Sequence, residues 1–249
     1  MRVATFNILS GRSPQDDQFD EERYRRAIRM LDADLLGLQE VDRNQARSRY
    51  ADLAAIAAEE MGATDHHFVA ALAGTPATWS AATGDEQPDA AVYGVALLSR
   101  YPVVGRRVIR LPGAPVPVPR RFHGSRLPRW VRDEPRVGVV AEVDSPVGRL
   151  DVVNTHLSFL RPWNRRQLRL LMARLGHSSN PVILLGDLNM GPGPVGRITR
   201  MQSLARDATF PSGSPREQID HILTAGPWEA DGRAVHLPMS DHRALVCVL

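Results

Sequence analysis

The feature that most restricts what this 249-residue chain can fold into is an internal echo. One unit runs Val3-Ala4-Thr5-Phe6-Asn7, then an arginine-rich helical stretch, then Asp34-Leu35-Leu36-Gly37-Leu38-Gln39-Glu40. A second runs Asp151-Val152-Val153-Asn154-Thr155-His156, then a helical stretch at 165–175, then Pro181-Val182-Ile183-Leu184-Leu185-Gly186-Asp187. Each reads strand, helix, strand, and the strands are continuous apolar runs, the mark of sheets covered on both faces. Polar groups end both strands of both units. Asn7 and Glu40 lie 33 positions apart, His156 and Asp187 31. Two such units packed face to face bring Asn7, Glu40, His156 and Asp187 to one rim. Strand–helix–strand units are common, so the repeat by itself carries no chemistry. What sets this one apart is a metal-competent or proton-handling residue at all four strand ends.

Further apolar runs at 92–98, 137–143 and 244–249 read as buried strands. Residues 21–31 place Tyr24, Ala27, Ile28 and Leu31 at helical spacings of three and four, and 51–61 and 167–175 behave similarly. The pattern predicts packed sheets flanked by helices. No Ser/Gly/Pro linker divides the chain, so it reads as one domain over 1–249. A hydrophobic content of 43% with 24% charged residues excludes collagen-like, disordered and coiled-coil readings. The 31 basic residues, against 28 acidic, are all arginines, because the chain has no lysine. Net charge is only +3, so a nucleic-acid role has to be argued from where the arginines lie. The single cysteine, Cys247, sits in Ala-Leu-Val-Cys-Val-Leu and reads as a small buried residue, neither bridged nor nucleophilic. No run of apolar residues is long enough to span a membrane and no signal pattern opens the chain, which makes the cytoplasm the default compartment.

Nine polar residues follow or interrupt apolar runs: Asn7, Glu40, Asp42, His156, Asp187, Asn189, Asp220, Asp241 and His242. Carboxylates, amides and histidines without cysteine suit a hard divalent cation and a phosphate. Mg²⁺ takes oxygen ligands and keeps several waters, so one or two carboxylates can hold it beside a substrate phosphate. Amide and imidazole donors then bind non-bridging oxygens while another carboxylate orients or deprotonates water. No G-x-S-x-G elbow, P-loop, H-E-x-x-H or paired C-x-x-C is present. Ser240-Asp241-His242 cannot form a triad among themselves, since a triad is assembled in space.

Six short motifs, in order, resemble those of the endonuclease/exonuclease/phosphatase superfamily: Thr5-Phe6-Asn7, Leu38-Gln39-Glu40-Val41-Asp42, Asn154-Thr155-His156-Leu157, Gly186-Asp187-Leu188-Asn189, Ile219-Asp220-His221-Ile222 and Ser240-Asp241-His242. The resemblance implies a four-layer α/β/β/α sandwich of two packed mixed sheets flanked by helices. It also implies a catalytic Mg²⁺ or Mn²⁺ and phosphoester hydrolysis by an activated water. Carried over motif by motif, Glu40 is the main metal ligand, Asn7 lies at the metal or scissile phosphate, and Asp241 lies near the metal. Asp187 orients or deprotonates the water. Asn189 and His156 donate to phosphate oxygens, His242 contacts phosphate or moves a proton, and Asp220 fixes the His242 imidazole. Asp42 ranks last as a direct metal contact, since it could simply be solvated after the strand. Arg136 resembles an arginine preceding the same strand in the family and is a candidate phosphate contact.

Substrate class turns on residues 106–136, which carry nine arginines against Asp133 and Glu134. Prolines at 112, 115, 117, 119 and 128 predict an extended loop, with Phe122, His123 and Trp130 interleaved. Arginine forks with aromatic faces suit phosphates and stacked bases, so nucleic acid is one expected partner and an anionic lipid surface another. The first reading is a Mg²⁺-dependent phosphodiesterase of nuclease type. A phosphatase or phospholipid or small-molecule phosphodiesterase is the alternative, and a catalytically inactive binding module the remote one. Oligomeric state is not legible.

Overall fold

The computed structural model describes residues 1–76, 78–120 and 128–249. The first unit of the echo folds as β1 (Arg2–Asn7), α1 (Glu21–Leu31) and β2 (Leu35–Arg43), followed by α2 (Leu53–Met61). Then come β3 (Asp65–Ala73), β4 (Ser80–Ala81), β5 (Val92–Ser99), β6 (Val103–Leu111), β7 (Val118–Arg120), β8 (Arg129–Val131) and β9 (Arg136–Ser145). The second unit is β10 (Gly148–His156), α3 (Trp163–Leu175) and β11 (Val182–Asp187). The chain continues through α4 (Pro192–Thr199), β12 (Gln202–Ser203), β13 (Asp220–Thr224), β14 (Arg233–Val235) and β15 (Ala244–Val248).

Local chemistry explains the helix that opens the first unit. Asp20 caps α1 by accepting the Arg23 amide, Glu21 and Glu22 face the positive helix end, and Asp32 closes it in a left-handed conformation. Tyr24, Ala27, Ile28 and Leu31 form its buried stripe, as their spacing predicts.

The strands assemble into a seven-stranded sheet ordered β14-β15-β1-β2-β5-β3-β4 and a six-stranded sheet ordered β12-β13-β11-β10-β9-β6. Each unit contributes one parallel pair, β1 with β2 in the first sheet and β10 with β11 in the second. Side-chain alternation then builds four layers. Ala4, Phe6, Leu36 and Leu38 face α1 and α2. Val3, Leu35, Val152, Ile183 and Leu185 meet between the sheets. Val153 and Leu184 face α3 and α4 through Leu168, Leu171 and Val195. This is the α/β/β/α sandwich that the motifs imply.

Two buried amides tie the sheets together. Asn154 donates through Nδ2 to the carbonyls of Leu38 (2.9 Å) and Ala96 (2.8 Å), and its Oδ1 accepts from Gln39 Nε2 at 2.7 Å. Only glycine fits opposite: a Cβ on Gly37 would stand 2.8 Å from Asn154 Oδ1.

Residues 106–136 are not one extended loop. β6 pairs with β9 from Val103 to Leu111, so Arg106, Arg107 and Arg110 lie on a strand. Ile109 and Leu111 are buried with Arg110 exposed between them, a period of two that the arginine density conceals. β7 and β8 form a separate antiparallel hairpin. Arg106 pairs with Asp65, while Arg107 and Arg110 donate to the carbonyls of Arg174 and Ala70. Arg121, Phe122, His123 and Arg126 lie outside the described residues. Among the described residues no helix is long and apolar enough to cross a membrane.

Candidate active site

The four strand ends meet at one rim. β1 delivers Asn7 and β2 delivers Glu40, while β10 delivers His156 opposite Asp187 of β11, their Cα positions paired in register. Glu40 reaches the rim through a β-bulge. Gln39 pairs with Val95 and Val41 with Gly94, leaving Glu40 as the extra residue with φ of 56°. Bulges of this kind re-aim a side chain beside functional sites. β13 runs antiparallel to β11 and sets Asp220 against Asp187. The turn before β15 supplies Asp241 and His242. It is pinned by Ser240, whose Oγ donates to the Asn7 carbonyl at 2.6 Å and accepts the His242 amide at 3.1 Å.

One amide spans two carboxylates: Asn7 Nδ2 lies 3.2 Å from Glu40 Oε1 and 3.0 Å from Asp187 Oδ2. Asp187 Oδ2 is also 3.5 Å from His156 Nε2 and 3.9 Å from His242 Nε2, and its Oδ1 accepts the Asn189 amide at 2.9 Å. Burial, reinforced by the neighbouring Asp220 charge, pushes the Asp187 carboxyl up to about 7. Burial likewise raises Glu40, against the Asn7 hydrogen bond and the pull of His242, while Asp241 adds to the rise.

The two histidines are set in opposite states. His242 Nδ1 meets Asp220 Oδ2 at 2.9 Å. Burial disfavours its charge, but Asp220, Asp187 and Asp241 together outweigh that and lift it to about 10. It is therefore an imidazolium at neutral pH, steadied on one face by the Phe210 ring at 5.0 Å. Burial, with Arg136 and His242 beside it, holds His156 well below the usual histidine range. Arg136 NH1 lies 3.2 Å from His156 Nδ1, and a guanidinium can only donate, which favours the tautomer with its proton on Nε2. Asn189 donates to the Leu157 carbonyl and lies 3.3 Å from that Nε2.

All eight residues expected at the metal, water and phosphate thus gather at one edge. Arg136 is buried, with its guanidinium engaged by His156 and, at 3.1 Å, by Glu134. Asp42 has another employment. It is fully buried and takes a two-point ion pair from Arg47 at 2.8 Å, and that guanidinium also lies over the stacked rings of Trp79 and Tyr93. Sequence reasoning passes over Glu134, Ser240 and the Asn154–Gln39 bridge as residues that hold this edge. Polar side chains inside otherwise apolar strands are the one signal for the last pair.

The model of the Endonuclease/Exonuclease/phosphatase family matches residues 4–242. The chain belongs to that family. No curated protein is similar enough in sequence to match. Among solved structures, an endonuclease/exonuclease/phosphatase from Beutenbergia cavernae DSM 12333 has a TM-score of 0.69 at 22% identity, over 99% of this chain and 70% of that one. A mannosyl-6-phosphatase from Bacteroides thetaiotaomicron VPI-5482 has a TM-score of 0.70 at 16% identity, covering 100% and 98%. Truncated Caenorhabditis elegans TDP2 has a TM-score of 0.61 at 16% identity, covering 99% and 95%. At these identities the likeness is one of fold.

Family members are generally hydrolytic phosphoesterases that depend on a divalent metal. Two groups at the edge offer oxygen and nitrogen ligands. Asp187, Asp220 and His242 present ligand atoms within 4.8 Å of one another. In that trio His242 already carries a positive charge and holds Asp220. Glu40 is different: among the described residues it has no ion-pair partner, its one hydrogen bond comes from a neutral amide, and Asp241 stands nearby. A hard cation beside Glu40 fits that unbalanced negative charge.

Proposed function

We propose that this family member is a Mg²⁺- or Mn²⁺-dependent phosphodiesterase. The observation that carries the reading is the convergence of Asn7, Glu40, His156 and His242 on Asp187: Asp187 Oδ2 lies 3.0 Å from Asn7 Nδ2, 3.5 Å from His156 Nε2 and 3.9 Å from His242 Nε2, and the same Asn7 amide reaches Glu40 at 3.2 Å. Glu40, with Asn7 and Asp241, would hold the cation, which supplies positive charge to the phosphate and the departing oxygen. Asp187 Oδ2 takes the proton of the attacking water, a task suited to a carboxylate poised close to neutral pH. His156 Nε2–H and Asn189 Nδ2 donate to non-bridging oxygens, and Arg136 favours the His156 tautomer that makes this donation available. His242 adds a charged donor held in orientation by Asp220.

A groove beside the edge supports a diester over a monoester. It has a volume of about 980 Å³ and is walled by Trp79, Arg110, Pro112, Arg132, Glu134 and Arg136. Such space suits the second organic substituent of a diester. A matched pair of chromogenic esters tests this, bis(p-nitrophenyl) phosphate and p-nitrophenyl phosphate, each with Mg²⁺, with Mn²⁺ and with chelator. Hydrolysis of the diester alone, abolished by chelator, is the expected result. Preference for the monoester would move the chain to the phosphatase reading. Nicking of plasmid, cleavage of RNA and release of lipid headgroups then sort the natural substrate.

A further inference from the structure

The two halves of the echo differ in how they treat their arginines. In the first, α1 is laced to acids: Arg25 pairs with Glu21 and Glu59, and Arg29 with Glu22 and Glu60. In the second, the stretch between Asp151 and Asp207 carries eight arginines and one acid, Asp187, which is buried at the catalytic edge. Four of those arginines converge. Arg165 and Arg169, one turn apart on α3, face Arg197 and Arg200 at the end of α4 across a cleft of about 470 Å³ completed by Pro194 and Ile198. Among the described residues none of the four side chains has an ion-pair or hydrogen-bond partner, and the Nε of Arg165 is buried without one. Four like charges held together in one concavity repel, and among the described residues no carboxylate pairs with them.

We propose that the α3–α4 cleft is a second anion site, outside the catalytic edge, that takes consecutive phosphates of a nucleic-acid backbone. Guanidinium forks match phosphate oxygens in pairs, and a concave set of four suits a chain of phosphates. No aromatic ring lines the cleft, so it grips backbone and reads no bases. A lipid surface fits less well, because none of the exposed large apolar side chains among the described residues lies on α3 or α4 to enter a bilayer. The cleft also has a route to the chemistry. Asn164, adjacent to Arg165, donates to the carbonyl of the rim residue Asn189 at 2.8 Å.

The test is fluorescence anisotropy with a labelled single-stranded oligonucleotide of mixed sequence, in chelator, over a series of salt concentrations. Each phosphate contact contributes a slope of roughly −0.7 in log affinity against log salt, so replacing Arg165, Arg169, Arg197 and Arg200 with glutamine should flatten the slope by about 2.8. All four are at least partly exposed, so the variant should melt like the wild type and turn over a small phosphoester unchanged. A control removes equal charge elsewhere, at the exposed Arg26, Arg49, Arg216 and Arg233, and should leave most of the slope. An equal loss in the control, an unchanged slope in the cleft variant, or binding to phosphatidylserine vesicles without binding to oligonucleotide would each overturn the proposal. Binding in chelator reads the cleft and metal-dependent ester hydrolysis reads the catalytic edge, so failure of either leaves the other tested.

Discussion

The bridge between the sheets lends itself to a double-mutant cycle at Asn154 and Gly37. Asn154→Ala deletes three buried hydrogen bonds of 2.7, 2.8 and 2.9 Å. At about 1 kcal/mol net for each, stability falls by about 3 kcal/mol. For a chain of this length that corresponds to a drop in Tm of roughly 6–12 °C. Gly37→Ala fails for the opposite reason. Its methyl would stand 2.8 Å from an Asn154 oxygen that three hydrogen bonds prevent from yielding, and overpacking costs about 1–3 kcal/mol. In the double variant the methyl enters the space the amide has left, and only the Leu185 Cβ at 3.2 Å still crowds it, so the second change should cost much less than it does alone. The expected total is about 3 kcal/mol against a sum of about 4–6, a coupling of the size seen for touching residues. Urea denaturation followed by circular dichroism measures all three. A double variant that loses the full sum would refute the geometry. Turnover should also fall in Asn154→Ala, because Asn154 lies two residues before His156 and its carbonyl partner Leu38 two before Glu40.

Glu40→Gln should abolish the rise in melting temperature that Mn²⁺ or Mg²⁺ gives the wild type, together with chelator-sensitive activity; full wild-type activity in chelator would sink the metal assignment. Asp187→Asn should fold normally and lower kcat by on the order of 10²–10⁴, read in steady-state kinetics. Asp220→Ala and His242→Ala should be non-additive in kcat, since a coupled pair is lost with either member, and additive losses would uncouple them. The His242 imidazole, lifted from 6.5 to about 10, stabilises the fold in its charged form: that stabilisation is complete below pH 6.5 and lost as pH rises through about 10. The stability gap between wild type and His242→Asn should therefore narrow between neutral pH and pH 10, and a constant gap would contradict the ion pair.

How much of this could be read in advance depended on how local the cause was. α1 ends where its apolar stripe and flanking aspartates end it, at 21 and 31, because cap and periodicity lie within the same few residues. The rim was legible for a similar reason: apolar strands of similar length stop at polar residues, and parallel pairing brings those stops level. β3 has no strong local signature because its His-His-Phe-Val-Ala-Ala sequence lacks a continuous apolar run, although β5 pairs along its whole length. β6 was hidden by arginines on its exposed side. The bulge at Glu40 depends on how β2 meets β5, and the grip of Arg136 on His156 joins residues 20 positions apart across neighbouring strands. Neither has a local signature. Asp42 shows the converse error, since a carboxylate two residues past Glu40 shares its motif but turns into an ion pair with Arg47.

The first and last strands of the sandwich are hydrogen-bonded neighbours, with Arg2 opposite Val248 and Thr5 opposite Leu245. On a ribosome working at about 5–20 residues per second, β1 waits roughly 12–48 s for β15. Throughout that interval Asn7 lacks the clamp from Ser240, Asp187 lacks its charged neighbour His242, and the hydrolytic edge does not exist. Contacts from Ser240 and His242, just before the last strand that the larger sheet receives, thus complete an edge begun by its first.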